Sequence, residues 1–439
     1  MLAPKFPGAT RMEIAMKTKV KKKSYEEVMA LKRPKHRKPI KPLFIIRVLL
    51  KLVSSVMLFF DRFQYQRIGM ERLGKDEPCL VLMNHSSFVD LEIAQAVMGP
   101  RPMNIVCTTD GLLGKEWLMR LIGCIPTRKF VTDSVLVKDM MYALKTLKSS
   151  VLMYPEAGYS FDGTATVLPD VLGKCVKLLG VPVVMITSYG AYSKDPLYNN
   201  LQKRRVKVSA TVEYVLSPEE IKEKSPKEIQ EVIRKCFSFD NFKWQQQNKI
   251  RIREKFRADF LNRLLYKCPA CLSEEHMKGE GILISCGNCG KQYELTEFGA
   301  IKALDGETEF SHIPDWYRWE RECVRKEILD GEYFLDLPVD ICMLVNTKSI
   351  YSVGEGRLQH SIEGFHLSGC DGALEYVQHS KSSYTLNADY YWYQLGDVIG
   401  IGDSNALYYC FPKVERDIVT KARLATEEIY QILRAEKKE

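Results

Sequence analysis

The stretch from Val81 to Gly99 reads VLMNHSSFVDLEIAQAVMG, and the rest of the chain can be organised around it. An apolar strand, Val81-Leu82-Met83, stops at Asn84-His85. Ser86-Ser87 then supply a cap, and a helix begins with Asp90 in its first turn. In such a strand–turn–helix the carboxylate can reach back to the imidazole, hold one ring nitrogen protonated and leave the other free as a base. The pair is the His–Asp half of a catalytic triad, without a serine nucleophile. A plainer alternative stands beside it. Ser87 to Asp90 is also a variant capping box, in which Asp90 only satisfies backbone N–H groups and His85 is an ordinary turn residue.

Outward from this segment, apolar runs at Pro78–Met83, Met103–Thr108, Val151–Tyr154, Pro182–Thr187 and Val206–Leu216 alternate with helical stretches near Ser134–Lys148 and Leu168–Leu179. Short apolar strands between helices predict an α/β domain with a mixed sheet covered by helices. Ser217-Pro218 and Ser225-Pro226 each read as a capped helix start, and the chain is expected to stay charged and helical to about Arg263.

A chain of 439 residues predicts two or three domains. No run reaches eighteen uncharged apolar residues, which excludes a polytopic membrane protein. The net charge is +9, but residues 1–42 alone carry 13 basic and 3 acidic side chains, so the body is near neutral. Residues 1–42 therefore read as a flexible basic arm suited to polyanions, anionic lipid above all. From Phe44 to Phe60 an apolar cylinder is interrupted by Arg47, Lys51, Ser54 and Ser55 at helical spacing. At 1.5 Å per residue it spans roughly 25 Å, short of a hydrocarbon core of ~30 Å. Residues 43–66 are thus expected to lie in a membrane interface rather than cross it. The 13 cysteines are thinly spread, no secretory leader is read at the start, and a reduced compartment fits.

One group of cysteines is tight. Cys268-x-x-Cys271 and Cys286-x-x-Cys289 are two knuckles that can set four thiolates around a structural zinc ion, with no open position for catalysis. Residues 251–310 are expected to form a helical connector and zinc ribbon, with His276 in the loop and not a ligand. Residues 311–332 are expected to be a linker helix capped by Asp315, with His312, Trp316, Tyr317 and Trp319 at a domain joint. From 333 to 439, Val/Ile/Tyr-rich runs punctuated by glycines predict an antiparallel β domain, its interior packed by side chains such as Tyr390 and Trp392. It ends in a helix whose stripe runs Val414, Ile418, Ala422, Ala425, Ile429, Leu433. This barrel-like layout capped by one helix is similar to the pleckstrin-homology type.

Asn84-His85-x-x-x-x-Asp90 resembles the first motif of the glycerolipid acyltransferase family, whose best-known members acylate lysophosphatidate. Three further blocks follow in order. Gly123-Cys124-Ile125-Pro126-Thr127-Arg128 resembles the Gly-x-x-x-x-Arg block. Tyr154-Pro155-Glu156-Ala157-Gly158-Tyr159-Ser160 resembles Phe-Pro-Glu-Gly-x-x-Ser, and Val181-Pro182-Val183-Val184-Met185 resembles the apolar fourth block. The resemblance covers about residues 44 to 215 and implies an acyltransferase domain over 67–250.

It further implies transfer of a fatty acyl group from acyl-CoA or acyl carrier protein to a lysophospholipid hydroxyl, with 1-acylglycerol-3-phosphate giving phosphatidate. His85 and Asp90 would be catalytic, and Asn84, Gly123, Arg128, Pro155, Glu156, Gly158 and Ser160 would line the substrate site. Arg128 offers a planar fork for phosphate, and Glu156 can accept from acceptor hydroxyls. In the third block the family commonly has Arg where this chain has Tyr159, and Gly where it has Ala157, so the acceptor headgroup is less firmly implied than the chemistry. Another lysolipid, a glycolipid, or a catalytically weak lipid-binding scaffold on the same fold remain alternatives. The expected setting is the cytoplasmic face of a membrane, held peripherally through anionic lipid. A protein partner for the ribbon or β domain is compatible, whereas the near-neutral body disfavours nucleic acid.

Overall fold

The computed structural model describes residues 20–129, 134–414 and 416–436. The chain opens with strand β1 (Val20–Lys22), helix α1 (Tyr25–Met29) and the long helix α2 (Phe44–Phe60). A seven-stranded sheet follows, built from β2 (Gln64–Ile68), β3 (Leu80–Met83), β4 (Met103–Thr108), β5 (Cys124–Thr127), β6 (Ser150–Met153), β7 (Val183–Tyr189) and β8 (Ser209–Leu216). Its helices are α3 (Val89–Met98), α4 (Glu116–Leu121), α5 (Ser134–Met141), α6 (Leu172–Leu179), α7 (Ala191–Lys194), α8 (Pro218–Glu223), α9 (Pro226–Cys236) and α10 (Asn241–Gln247). Strand order is β2-β8-β7-β3-β6-β4-β5, parallel throughout except for the β7–β8 pair. This is the mixed, helix-covered sheet that the alternation of runs predicts. Leu80 to Met83 of β3 are fully buried, as a central strand covered on both faces must be.

The sequence pattern misses β2, whose residues Gln64-Tyr65-Gln66-Arg67-Ile68 are all exposed. It pairs at one edge with β8 and straddles the expected boundary between residues 66 and 67. The helical connector also needs correction. After α10 the chain turns without a helix through residues 250–259, reaching only a single 3-10 turn at Leu261–Arg263. There the Arg257 side chain bonds the carbonyl oxygens of Leu295 and Glu254, so tertiary contacts replace a helical ladder.

The basic arm needs correction as well. Residues 1–19 lie outside the described residues, but 20–42 are folded. β1 pairs in parallel with Ile350–Ser352, and Ser24 and Glu27 close a capping box that starts α1. The chain then straps across the first sheet. His36 meets Asp139 at 2.9 Å, and the amide of Asn104 donates to the carbonyl of Ile40 at 2.9 Å.

α2 is turned with its polar stripe inward. Arg47 donates to the carbonyl of Pro100 at 2.8 Å, Lys51 packs on Gly99, and Ser54 is buried. Phe59 and Phe60, by contrast, are 77% and 79% exposed, and Phe44, Ile45, Leu49, Leu52 and Val56 are more than half exposed. The helix runs antiparallel along α3, since Lys51 meets the end of α3 while Asp61, just past α2, lies within electrostatic reach of Glu92 at its start. Among the described residues no helix is long and apolar enough to cross a membrane.

The remainder comprises a four-stranded ribbon, β9 (Met277–Glu280), β10 (Leu283–Cys286), β11 (Gln292–Leu295) and β12 (Ile301–Ala303), then α11 (Ile313–Leu329). Seven antiparallel strands follow: β13 (Leu335–Leu344), β14 (Ile350–Ser361), β15 (Gly364–Gly369), β16 (Leu374–His379), β17 (Asn387–Trp392), β18 (Gly396–Gly402) and β19 (Leu407–Pro412). They are ordered β16-β15-β14-β13-β19-β18-β17, and α12 (Val419–Ala435) packs on them. Where a barrel is expected the strands form one open sheet order, and among the described residues its edge strands β16 and β17 do not pair. The cap of α11 is His312 rather than Asp315, with Pro314 in the first turn. One apolar cluster, including Ile284, Tyr293, Trp316, Val324, Ile341 and Ile429, joins ribbon, α11 and β domain in a common core.

Candidate active site

His85 follows β3, Arg128 follows β5, and the third block follows β6, so three of the four blocks leave the sheet at the carboxyl ends of parallel strands. That edge is where ligands bind in open α/β sheets, because the turns there carry side chains free of the ladder. The fourth block lies elsewhere. Val183 pairs with Leu80, and the carbonyl of Pro182 accepts from the N–H of Leu80 at 2.9 Å, so this block braces the start of β3.

At the start of α3 both readings of Asp90 hold at once. Its Oδ2 accepts from the backbone N–H groups of Ser86 at 2.7 Å and Ser87 at 3.0 Å, which caps the turn. The same oxygen accepts from Nδ1 of His85 at 3.2 Å, and Oδ1 accepts from the Ser188 hydroxyl at 3.0 Å. Asp90 has no solvent exposure, whereas the His85 side chain is 22% exposed. With Nδ1 facing Asp90, Nε2 is the imidazole nitrogen left for a substrate. The Ser86 and Ser87 amides point at Asp90 and so do not serve as oxyanion donors.

Several residues expected to line the substrate site are instead braces. Glu156 is 2% exposed. Its Oε2 accepts from the N–H of His85 at 2.8 Å, and its Oε1 accepts from the N–H and hydroxyl of Thr166 at 2.7 and 3.1 Å. Burial pushes its carboxyl up to about 7 against these hydrogen bonds. Asn84 is buried and exchanges hydrogen bonds with the Ser188 backbone at 2.8 and 3.3 Å, tying β3 to β7. The buried Ser160 donates its hydroxyl to the carbonyl of Thr164 at 2.6 Å, while its N–H donates to the carbonyl of His85 at 3.0 Å. Pro155 is buried beside them. Gly158 has open space where a Cβ would lie, so it is the member of the block through which a substrate can approach.

Gly123 is a packing glycine. Its φ is +93°, and a Cβ there would lie 2.5 Å from Cγ of Pro42 in the N-terminal strap. Arg128 sits three strand spacings from β3, ~14 Å away. Its Nη1 donates to the carbonyl of Asp403 in the β domain at 3.3 Å. Nearby, the Tyr393 hydroxyl donates to the carbonyl of Asp110 at 2.7 Å, and the Thr347 hydroxyl bonds Glu116, so the β domain walls this side of the sheet edge.

The sequence reading misses four participants. Ser188 supports Asp90 from the end of β7, and Asp195 accepts the Ser87 hydroxyl, its carboxyl pushed by burial up to about 7. Tyr154 stacks on the His85 ring and Tyr159 packs against it at a tilt, each with centroids 4.2 Å away. Only Tyr154 and Tyr159 carried a signal, as departures from the family pattern. Ala157 has a φ of +54°, which explains why a glycine suits that position.

The four ribbon cysteines meet as expected. Their sulfurs all lie within 4.8 Å of one another, with Cys268–Cys289 at 3.8 Å and Cys271–Cys286 at 3.6 Å. A tetrahedral site with Zn–S of ~2.3 Å has S···S edges of ~3.8 Å, so the donor set fits a metal ion such as zinc. Nδ1 of His276 bonds the Ser273 hydroxyl at 2.9 Å, outside this set.

Residues 64–188 match the family model described as Acyltransferase. Among solved structures, the 1-acyl-sn-glycerophosphate (LPA) acyltransferase PlsC from Thermotoga maritima matches with 16% identity and a TM-score of 0.35, over 43% of this chain and 77% of that one. No curated protein matches. The matched segment, which contains all four blocks in full, is thus an acyltransferase-family domain.

Proposed function

We propose that this acyltransferase domain moves a fatty acyl group from the thioester of acyl-CoA or acyl carrier protein to the free hydroxyl of a lysophospholipid, converting 1-acylglycerol-3-phosphate to phosphatidate. The observation that carries the reading is His85, whose Nδ1 faces a fully buried carboxylate while its ring keeps a solvent-accessible side. The acceptor hydroxyl gives its proton to Nε2 as its oxygen bonds to the thioester carbonyl carbon. The C–S bond then breaks, and the departing thiolate takes the proton back from the imidazolium. Asp90 fixes the ring and stabilises the imidazolium between these steps.

Arg128 is the guanidinium offered to the headgroup phosphate. Tyr159 in place of a second guanidinium, together with the bond from Arg128 to Asp403, favours a second reading in which the acceptor is a lysolipid or glycolipid with another headgroup. The exposed apolar face of α2 supports peripheral binding to the cytoplasmic face of a membrane, with the mouth of the site toward the lipid that holds the acceptor. Basic residues near the strap add attraction to anionic headgroups. The cysteine cluster would hold zinc as a structural staple with no part in the chemistry. The β domain, seven antiparallel strands with α12 packed on them, would offer a surface to a protein partner.

The test is transfer from labelled acyl-CoA and acyl carrier protein to lysophosphatidate, other lysophospholipids and glycolipids in lipid-containing buffer. Transfer to lysophosphatidate supports the first reading, and transfer only to another acceptor supports the second. No transfer to any acceptor by zinc-loaded protein contradicts both and favours the scaffold.

A further inference from the structure

The His85 ring is held on its edge by Asp90, but a contact of 3.2 Å at one nitrogen leaves a planar ring free to rock about that atom. Two tyrosine rings lie against it. Tyr154 lies at 4.2 Å with 28° between the planes, and Tyr159 at 4.2 Å with 35°. Both rings thus lie in van der Waals reach of the imidazole. Phe88 sets its ring against Tyr159 at 5.6 Å.

The Tyr159 platform is built from distant parts of the chain. The N–H of Ser160 donates to the carbonyl of His85 at 3.0 Å, which locks the two turns together. The carbonyl of Tyr159 accepts from Nη1 of Arg423 on α12 at 3.5 Å. Arg423 is itself buried, lies 4.2 Å over the Phe161 ring and pairs with Glu427 at 3.2 Å. A ring supported this way is a fixed wall rather than a loose surface residue.

We propose that Tyr159 is a positioning residue for the His85 base, clamping the imidazole with Tyr154 so that Nε2 meets the acceptor hydroxyl. The inference rests on the acyl-transfer reading above. During transfer the imidazole becomes a cation, and the electron-rich tyrosine rings beside it attract it. An arginine at position 159 would place a like charge there instead. The tyrosine thus replaces a guanidinium suited to phosphate with an aromatic wall suited to the base.

The test compares Tyr159→Leu, Tyr159→Phe and Tyr159→Arg in the full zinc-loaded chain, with thermal melting to verify folding. Kinetics are combined with NMR of carbon-13 ring-labelled histidine, the His85 signal being assigned by its loss in His85→Ala. Flanking aromatic faces shield the His85 ring protons. The expected result is that Tyr159→Leu moves that signal downfield and lowers kcat by ~10–100-fold. The acceptor KM stays within about twofold, and Tyr159→Phe restores both signal and rate, whereas Tyr159→Arg does not. An unmoved signal, an unchanged kcat, or a loss confined to KM overturns the inference. If activity is lost in His85→Ala but not in Tyr159→Leu, the inference alone fails. If activity survives His85→Ala, the acyl-transfer base fails and the inference with it.

Discussion

Oε2 of Glu156 accepts the backbone N–H of His85 at 2.8 Å, so the third block of the acyltransferase domain holds the turn that carries His85. Replacing Glu156 with Ala leaves that N–H and two donors of Thr166 buried without their acceptor. Each such orphan costs ~1–3 kcal/mol. The expected outcome is a marked fall in melting temperature and in kcat, with the acceptor KM nearly unchanged. A rise in KM alone would instead make Glu156 a substrate contact.

Three carboxyls near the site, the buried Glu156 and Asp195 and the half-buried Asp389, are pushed up by desolvation, the first two to about 7 and Asp389 to about 6. Their folded values exceed the ordinary ones of 4.5 and 3.8, so the native state binds more protons than the unfolded chain. Their contribution is therefore full below about pH 4 and is lost as pH rises through about 6 to 7. Denaturant titrations across this range should show the decline, and it should be shallower in Asp195→Asn, whose amide oxygen can still accept from Ser87. An equal slope in the variant would contradict this assignment.

Two single changes toward the family pattern should stabilise the protein. Ala157→Gly relieves a residue at φ +54°, a gain of ~0.5–1 kcal/mol after the added flexibility of the unfolded chain. Tyr154→Phe removes a buried hydroxyl without a hydrogen-bond partner while keeping the ring on His85, a gain of ~1 kcal/mol. Urea denaturation of each variant measures both, and a loss of stability in either would contradict the local account.

Chelation, or Cys286→Ser, should release a stoichiometric metal ion and lower stability well beyond the ribbon, because the ribbon shares its core with α11 and the β domain. Metal analysis and thermal melting read the two effects. A metal-free protein of unchanged stability would remove the structural role.

Much of the architecture was legible because it is local. Periodicity located β4, which spans Met103–Thr108 as expected, and Ser-Pro-x-Glu marked the starts of α8 and α9. Cysteine spacing alone identified the four cysteines that meet. The rest depends on long-range pairing. β2 is all exposed and lacks an apolar signal, and the 20–42 segment is ordered by partners more than sixty residues away, Asn104 for Ile40 and Asp139 for His36. The bracing contacts of Glu156 and Asn84 were not legible for the same reason: a motif names a residue type, but the partners of its oxygens come from distant parts of the chain.

The most direct test of the central claim is acyl transfer measured for the parent, His85→Ala and Asp90→Asn side by side. The account predicts that His85→Ala lowers kcat by at least ~100-fold, and that Asp90→Asn, which keeps the shape but changes the partner of Nδ1, also lowers kcat strongly. Transfer that survives His85→Ala at the parent rate would contradict it.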